Sequence, residues 1–460
     1  MSLTSELVER VSELEFSDLT GEDLTATRAL LLDHIGVAAN GATTDSGRSM
    51  QAFATATDST EAPIVGTSLT AEPLRAAMAN AVAAHSIEYD DVHNAASSHP
   101  GVVVFPAAIA AAEMADADAE SMILGAVVGY EVMCRVGRAA NPPAHYARHF
   151  HPTGTTGHFG AAAAAASIFG LDVAQTVDAL GITATMAAGS MEFLLDGAWT
   201  KRLHPAQAAR NGVEAAMMAG HGFKGTLDGI GGTRAFLAGY SADPNPKEIL
   251  SAWGERPLEV QNTSIKAHTC CRYKQGPIDA LLEIRSRNDL EAADVASVKI
   301  GLLSVAEDIV WEPVAAKRRP TSVVDAQFSM PYGAAMALTA GRASLAQYDG
   351  SLFDDSEVLR LMDATECVVD KDLDLSYPVQ WRSWAEVVTT DGRTLRAEID
   401  DPKGDPTNPL SPAELRAKFD EITEPVYSGE RRDAIAETVA ALGGSAGLPD
   451  LLTLLPSDRI

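Results

Sequence analysis

A chain of 460 residues is too long for one simple core, and 46% hydrophobic with 21% charged residues describes a folded globular protein, not a disordered one. Sixty-three acidic against 35 basic side chains leave a formal charge of −28, which repels a phosphate backbone and argues against a nucleic-acid partner. Four cysteines make no disulfide framework, and the longest uncharged runs, 101–112 and 157–171, are too short to span a membrane. The start, MSLTSELVER, has no basic region followed by an apolar core, so the expectation is a cytoplasmic protein without a secretory signal. The acids are scattered along the chain, as on a solvated surface suited to high salt.

In chain order, apolar residues at three- and four-residue spacing predict helices over Leu7–Leu14 and Asp23–Ala39, the second stopped by Asn40-Gly41. Thr70 before Ala-Glu-Pro predicts a capped helix running to His85. Pro106 is read as opening the next helix, and Ala119–Val136 as another. Gly160–Phe169, Val173–Leu180 behind an Asp172 cap, and Thr185–Phe193 continue the helical run, with small residues spaced for close helix contact. From about residue 265 the pattern turns mixed. Val298–Leu303, Cys367–Val369, and a hairpin Ala385–Thr390 and Thr394–Ile399 around Asp391-Gly392 read as strands, with helices at Ser329–Ala340 and Ser356–Met362 between them. The capping box Ser411-Pro-Ala-Glu414 and the segment Glu430–Ala441 return the chain to helix. The fold class is therefore mostly α: a large helical domain from both chain ends (1–264 and 405–460) with an inserted α+β domain at 265–404.

Four stretches carry groups able to do chemistry. HSIEYDDVHNAASSHP (85–100) sets His85, His93 and His99 beside Glu88, Asp90 and Asp91, and imidazoles near carboxylates can be poised as acids or bases. AHYARHFHPTGTTGHFG (144–160) offers His145, His149 and His151, but HExxH is absent and no third ligand is fixed by spacing, so no metal is expected. Its HPTGTTG run lacks the Lys of a phosphate-binding loop, so no nucleotide is expected either. DGAWTKRLHP (196–205) places Lys201, Arg202 and His204 between apolar segments, where a scarce lysine can hold a carboxylate or act as a base. SIKAHTCCRYKQGPID (264–279) groups Lys266, Arg272 and Lys274 as a clamp for a polycarboxylate, with Cys270 and Cys271 as small packing groups. Tyr332, in QFSMPYGAAMAL, can add a hydroxyl donor.

These segments, with MEFLLDGAWTKRLHPAQAARNGVEAAMMAGHGFKG between them, resemble the MmgE/PrpD family, which holds dehydratases of 2-methylcitrate and decarboxylases of cis-aconitate; they fall in family order from about residue 85 to residue 340. The resemblance implies a helical domain with an α+β lid, a homodimer, and a cofactor-free site between the domains. It carries functional roles to the loop acids Glu88, Asp90 and Asp91, to His99 and His151, to Lys201 and Lys266, and to Tyr332. Counted without gaps from Lys266, the position of the decarboxylases' lid histidine holds Cys271, with His268 near but out of register. The CCRY form resembles the dehydratase-type members more.

The expected activity is a lyase or dehydratase without cofactor or metal, acting on a small di- or tricarboxylate such as 2-methylcitrate. His99 and His151 form the acid/base pair, Asp90 or Asp91 orients an imidazole, and Lys201 and Tyr332 complete the catalytic set. Lys266, Arg272, His93, Cys271, Lys274 and Arg202 are expected to bind substrate. Decarboxylation of cis-aconitate, epimerisation of an imino- or aminodicarboxylate, and a non-catalytic helical binding protein are the alternatives.

Overall fold

Helices dominate the structure, a computed structural model that describes residues 2–57, 61–255 and 257–459. Leu3–Ser12 and Gly21–Gly41 open the chain, the second capped by Thr20, which accepts the Asp23 N–H while Asp23 accepts the Thr20 N–H. The helix ends at Gly41, at the predicted Asn40-Gly41 stop, but Gly41 is not a left-handed cap and serves another purpose. A Cβ there would lie 1.8 Å from the Ala83 carbonyl oxygen, so glycine lets this helix press against the helix Pro73–Ala84. That second helix is capped by Glu72, not Thr70: Pro73 takes the first helical position, and the Glu72 carboxylate accepts the N–H groups of Leu74 and Arg75.

The next helix, Gly101–Ala115, starts five residues before Pro106. Its first N–H is taken by the buried Asp91 carboxylate, 2.9 Å from Gly101 N, which supplies the cap that Pro100 lacks. Ala119–Ala139 and Thr200–Gly220 both pack against Pro152–Ile168, which lies between them at the centre of the helical core. The run of glycines and alanines is what allows it: a Cβ on Gly160 would sit 2.7 Å from Met133 Cβ and 2.9 Å from the Gly129 carbonyl oxygen. That central helix begins at Pro152, eight residues before the predicted start at Gly160.

The helix predicted over Thr185–Phe193 is absent; only Phe193–Asp196 forms a short turn of helix. The preceding residues run extended beside residues 149–151, with the His151 N–H donating to Gly189 O at 2.8 Å and the Met191 N–H donating to His149 O at 3.1 Å. Those non-local bonds outweigh the intrinsic helix preference of the segment.

Four strands form the largest sheet, in the order Thr365–Val369, Val295–Leu302, Ser383–Thr389, Thr394–Ile399; the first pair is parallel and the others antiparallel. Around it lies a hydrophobic cluster drawn from residues 270–397, separate from the larger cluster of the helical core. The helices Pro412–Thr423 and Gly429–Ala441 pack back onto Gly21–Gly41, placing Phe419 and Ile422 in the larger cluster. Among the described residues, no helix is long and apolar enough to cross a membrane.

His158 lies buried inside the Pro152–Ile168 helix, its Nδ1–H donating to Gly154 O at 2.6 Å and its Nε2 accepting from Asn211 Nδ2 at 3.2 Å. Burial pushes it down to about 4. Between that value and the ordinary value of about 6.5 the unfolded chain holds the extra proton, so this side chain's contribution to stability is full above that window and is lost as pH falls through it. Replacing His158 by Gln is expected to lower the thermal midpoint near pH 7 and to close that gap progressively towards pH 4, by up to about 3 kcal/mol. Thermal melts of both proteins across that range test this, since buried carboxyls common to both cancel; a gap independent of pH would mean that His158 titrates like a solvated imidazole.

Candidate active site

The loop from His85 to Pro100 joins the end of one core helix to the start of the next, and all of it is buried except Ala95. Val92–His93 pairs antiparallel with Thr263–Ser264, which draws the chain at Lys266 under the loop. The fully buried Lys266 ammonium then donates to Glu88 O at 3.2 Å, Glu88 Oε2 at 3.4 Å and Asp90 Oδ1 at 3.4 Å. Lys201, from the first turn of Thr200–Gly220, donates to the other Glu88 oxygen. Burial would push both carboxyls up, but Lys201 and Lys266 outweigh it at Glu88, and Lys266, His85 and His99 at Asp90, holding each well below the usual carboxylate range.

Asp90 Oδ2 is shared by two imidazoles, 2.9 Å from His85 Nδ1 and 3.0 Å from His99 Nδ1. His99 Nδ1 also lies 2.7 Å from the Asp91 carbonyl oxygen, so it carries the proton, and its Nε2 is left for substrate. His151, at the N-terminal cap of Pro152–Ile168, has its Nδ1 3.1 Å from His204 Nδ1. Burial first, then His204 and Lys201, hold His151 well below its ordinary value, while burial and Lys201 push His85 and His204 down to about 4. His151 is therefore a neutral imidazole near pH 7, suited to accept a proton. The rings of His85, His99 and His151 are clustered, with centroids 5.0, 5.9 and 6.4 Å apart.

Glu88, His99, His151, Lys201, Cys271 and Arg272 meet at one cavity, where about 50 Å³ is open to water. Arg272 donates from Nη2 to Asp405 and from Nε to Asn94 Oδ1 at 3.1 Å, and its buried Nη1 has no partner among the described residues. A guanidinium so anchored beside the cavity is suited to hold a carboxylate. Burial pushes the Cys271 thiol up, so it stays protonated.

The sequence-predicted set divides. His99, His151, Lys201, Arg272 and Cys271 line the cavity, and Asp90 and Lys266 sit directly behind it. The remaining five are engaged elsewhere. The Asp91 carboxylate faces the Gly101 N–H and the Tyr130 hydroxyl, which donates at 2.7 Å, and burial pushes it up to about 7; it caps a helix and orients no ring. His93 Nε2 meets Glu259 at 2.9 Å and its Nδ1 accepts the Ala96 N–H. Arg202 donates to Ser46 Oγ at 2.7 Å, because neighbours on a helix point about 100° apart and only one can follow Lys201 into the cavity. Lys274 donates to Ala326 O at 2.8 Å and Tyr348 Oη at 3.2 Å, and burial pushes it down to about 8. The Tyr332 hydroxyl donates to Gln347 O at 2.6 Å inside the sheet-side cluster.

Three further residues belong with the site. His85 and His204 complete the imidazole cluster; both are visible in the loop and TKRLHP segments, but nothing in their spacing separates them from structural histidines. Lys418, on Pro412–Thr423, donates to Tyr89 O at 2.7 Å and Lys266 O at 2.9 Å and pairs with Asp33 Oδ1 at 2.6 Å, tying the acidic loop to the Lys266 segment. No motif marks it.

His85, Asp90 and His99 hold ligand atoms within 4.8 Å of one another, the geometry a metal ion would need. The other Asp90 oxygen faces the Lys266 ammonium, which competes with a divalent cation for the same charge. His145, in the trio considered from sequence, instead places Nε2 2.9 Å from Thr155 Oγ1.

Residues 5–249 match the MmgE/PrpD N-terminal domain and residues 268–442 the MmgE/PrpD C-terminal domain. The chain is 31% identical to a cis-aconitate decarboxylase-like protein, oryM, of Aspergillus oryzae, over 99% of this chain and 98% of that one. It is 27% identical to a cis-aconitate decarboxylase of Aspergillus terreus over 98% and 96% of the two chains. With the cis-aconitate decarboxylase of Homo sapiens it shares 26% identity over 99% and 94%.

Proposed function

Because the chain belongs to the MmgE/PrpD family, we propose that it is a cofactor-independent lyase that eliminates water from a small tricarboxylate of the 2-methylcitrate type. The observation that carries this reading is the neutral His151 facing His99 at a cavity that is also lined by Lys201 and Arg272. Arg272 and Lys201 hold substrate carboxylates. His151 removes the proton beside one of them, and Lys201 stabilises the enolate-like charge that develops. His99 acts as the imidazolium: its Nδ1–H stays on Asp90 while its Nε2–H passes to the departing hydroxyl, which leaves as water as the new carbon–carbon double bond forms and the ring is left neutral.

Segment 265–404 serves as the lid in this reading, with 1–264 and 405–460 as the body; the separate cluster at 270–397 and a cavity lined from both 1–264 and 265–404 support it. A homodimer and a cytoplasmic setting are part of the same proposal, resting on the family resemblance.

Decarboxylation is the second reading, favoured by the names of relatives that match nearly the whole chain. Loss of CO₂ leaves the same carbanion beside a carboxylate, so the same groups serve it. The two separate in one assay: purified protein with 2-methylcitrate or cis-aconitate, reading absorbance of the unsaturated acid and CO₂ release in parallel. Absorbance growth from 2-methylcitrate without CO₂ is expected. CO₂ from cis-aconitate assigns the second reading, and no turnover of either acid by folded protein sinks both.

A further inference from the structure

The cavity has a second half that carboxylates do not explain. Opposite Lys201 and Arg272 its wall is apolar, built from Met191, Phe193, Leu194, Ile309 and Phe328. The same five side chains, with Tyr146, also line a much larger outer cavity of about 980 Å³. The partition between the two spaces is thus one side chain thick. Part of it is the segment between Gly189 and Gly197, both at positive φ, which runs extended to Met191 and then makes the helical turn Phe193–Asp196; it is held to its neighbours at Gly189 and Met191.

Charge decides what can occupy the outer space. Glu192, Asp196, Asp308, Glu312 and Asp325 line it. Against them stand Arg319, paired with Asp363 at 2.8 Å, and Lys317, which gives one donor to Ile309 O at 2.7 Å. The lining is negative on balance, so a further carboxylate or phosphate placed there meets net repulsion, whereas an uncharged apolar group continues the surface of the partition. The cations available to substrate stand at the inner end, so orientation is fixed: acid groups inward, apolar group outward.

We propose that the substrate is a polycarboxylate carrying an alkyl substituent longer than methyl, its acid groups held by Lys201 and Arg272 and its chain passing the Phe193–Leu194 partition into the outer cavity. This rests on the lyase reading above. The test is a homologous series, citrate and its 2-methyl, 2-ethyl, 2-butyl and 2-hexyl derivatives, assayed for the unsaturated product with the full-length protein. kcat/KM is expected to rise about two- to fourfold per added methylene through the butyl compound. Ala316→Trp, on the exposed rim of the outer cavity, is expected to lower the hexyl-to-methyl ratio of kcat/KM at least about fivefold. A fall in kcat/KM at the first carbon beyond methyl, with 2-methylcitrate still turned over, overturns the inference and leaves the lyase reading standing. An unchanged ratio in Ala316→Trp places the chain elsewhere and overturns it too. No turnover of any member removes the lyase reading itself, and this inference with it.

Discussion

Lys201→Met is expected to lower kcat/KM by about three orders of magnitude, with the loss appearing in kcat and not in KM alone. The ammonium stands between the Glu88 carboxylate and the Phe328 ring, 5.0 Å from its centroid, and opens onto the cavity. In a half-apolar site it faces the charge that grows on a substrate carboxylate as the neighbouring proton leaves, and a preformed cation there is worth most in the transition state. A second readout follows from its neighbours. Lys201 is among the causes that hold His85, His151 and His204 low, after burial in each case. Without it all three bind a proton more readily, so the acid limb of the kcat/KM profile moves to higher pH. Steady-state kinetics between pH 5 and 8, with circular dichroism to confirm folding, tests both points. A variant with kcat intact and only KM raised would make Lys201 a binder of the ground state.

What could be read from sequence was chemistry held in short segments. His99 and His151 each precede a proline that begins a helix, and Lys201 breaks an apolar stretch; a polar group at such a boundary has to face something, and all three face the cavity. Direction was not legible. Lys201 and Arg202 are adjacent and equally basic, yet one reaches the cavity and the other Ser46. Asp90 and Asp91 differ by one position, and the register of Val92–His93 against Thr263–Ser264 sends one to the imidazoles and the other to a helix terminus. Pattern also failed where contact between distant segments set the backbone. Residues 185–193 have helical composition, but bonds to His149 and His151 hold the stretch around Gly189–Met191 out of a helix and bring Met191 and Phe193 to the cavity wall. The order of helical and mixed regions survived because hydrophobic periodicity depends on local spacing alone. Lys418 lay beyond reach for the opposite reason: two of its partners are carbonyl groups, which leave no trace in residue type, and the third, Asp33, lies near the opposite end of the chain.

That lysine carries the other large effect. Lys418→Met is expected to destabilise the protein by about 3 to 5 kcal/mol and to take most of the activity with it. Its ammonium, over the Tyr89 ring at 4.1 Å, is buried with Asp33 as its counter-ion. Removing it leaves the Asp33 charge without its partner and orphans the carbonyls of Tyr89 and Lys266 together. Tyr89 lies between Glu88 and Asp90, so slack at its carbonyl is slack in both carboxylates. The double variant Asp33→Asn with Lys418→Met removes the stranded charge, and part of the lost stability is expected to return, while activity stays low because the two segments are still untied. Denaturant melts and kcat on the two single variants and the double separate those outcomes. Recovery of stability and activity together would reduce Lys418 to charge balance; recovery of stability alone makes it the tie that sets Glu88 and Asp90 against Lys266.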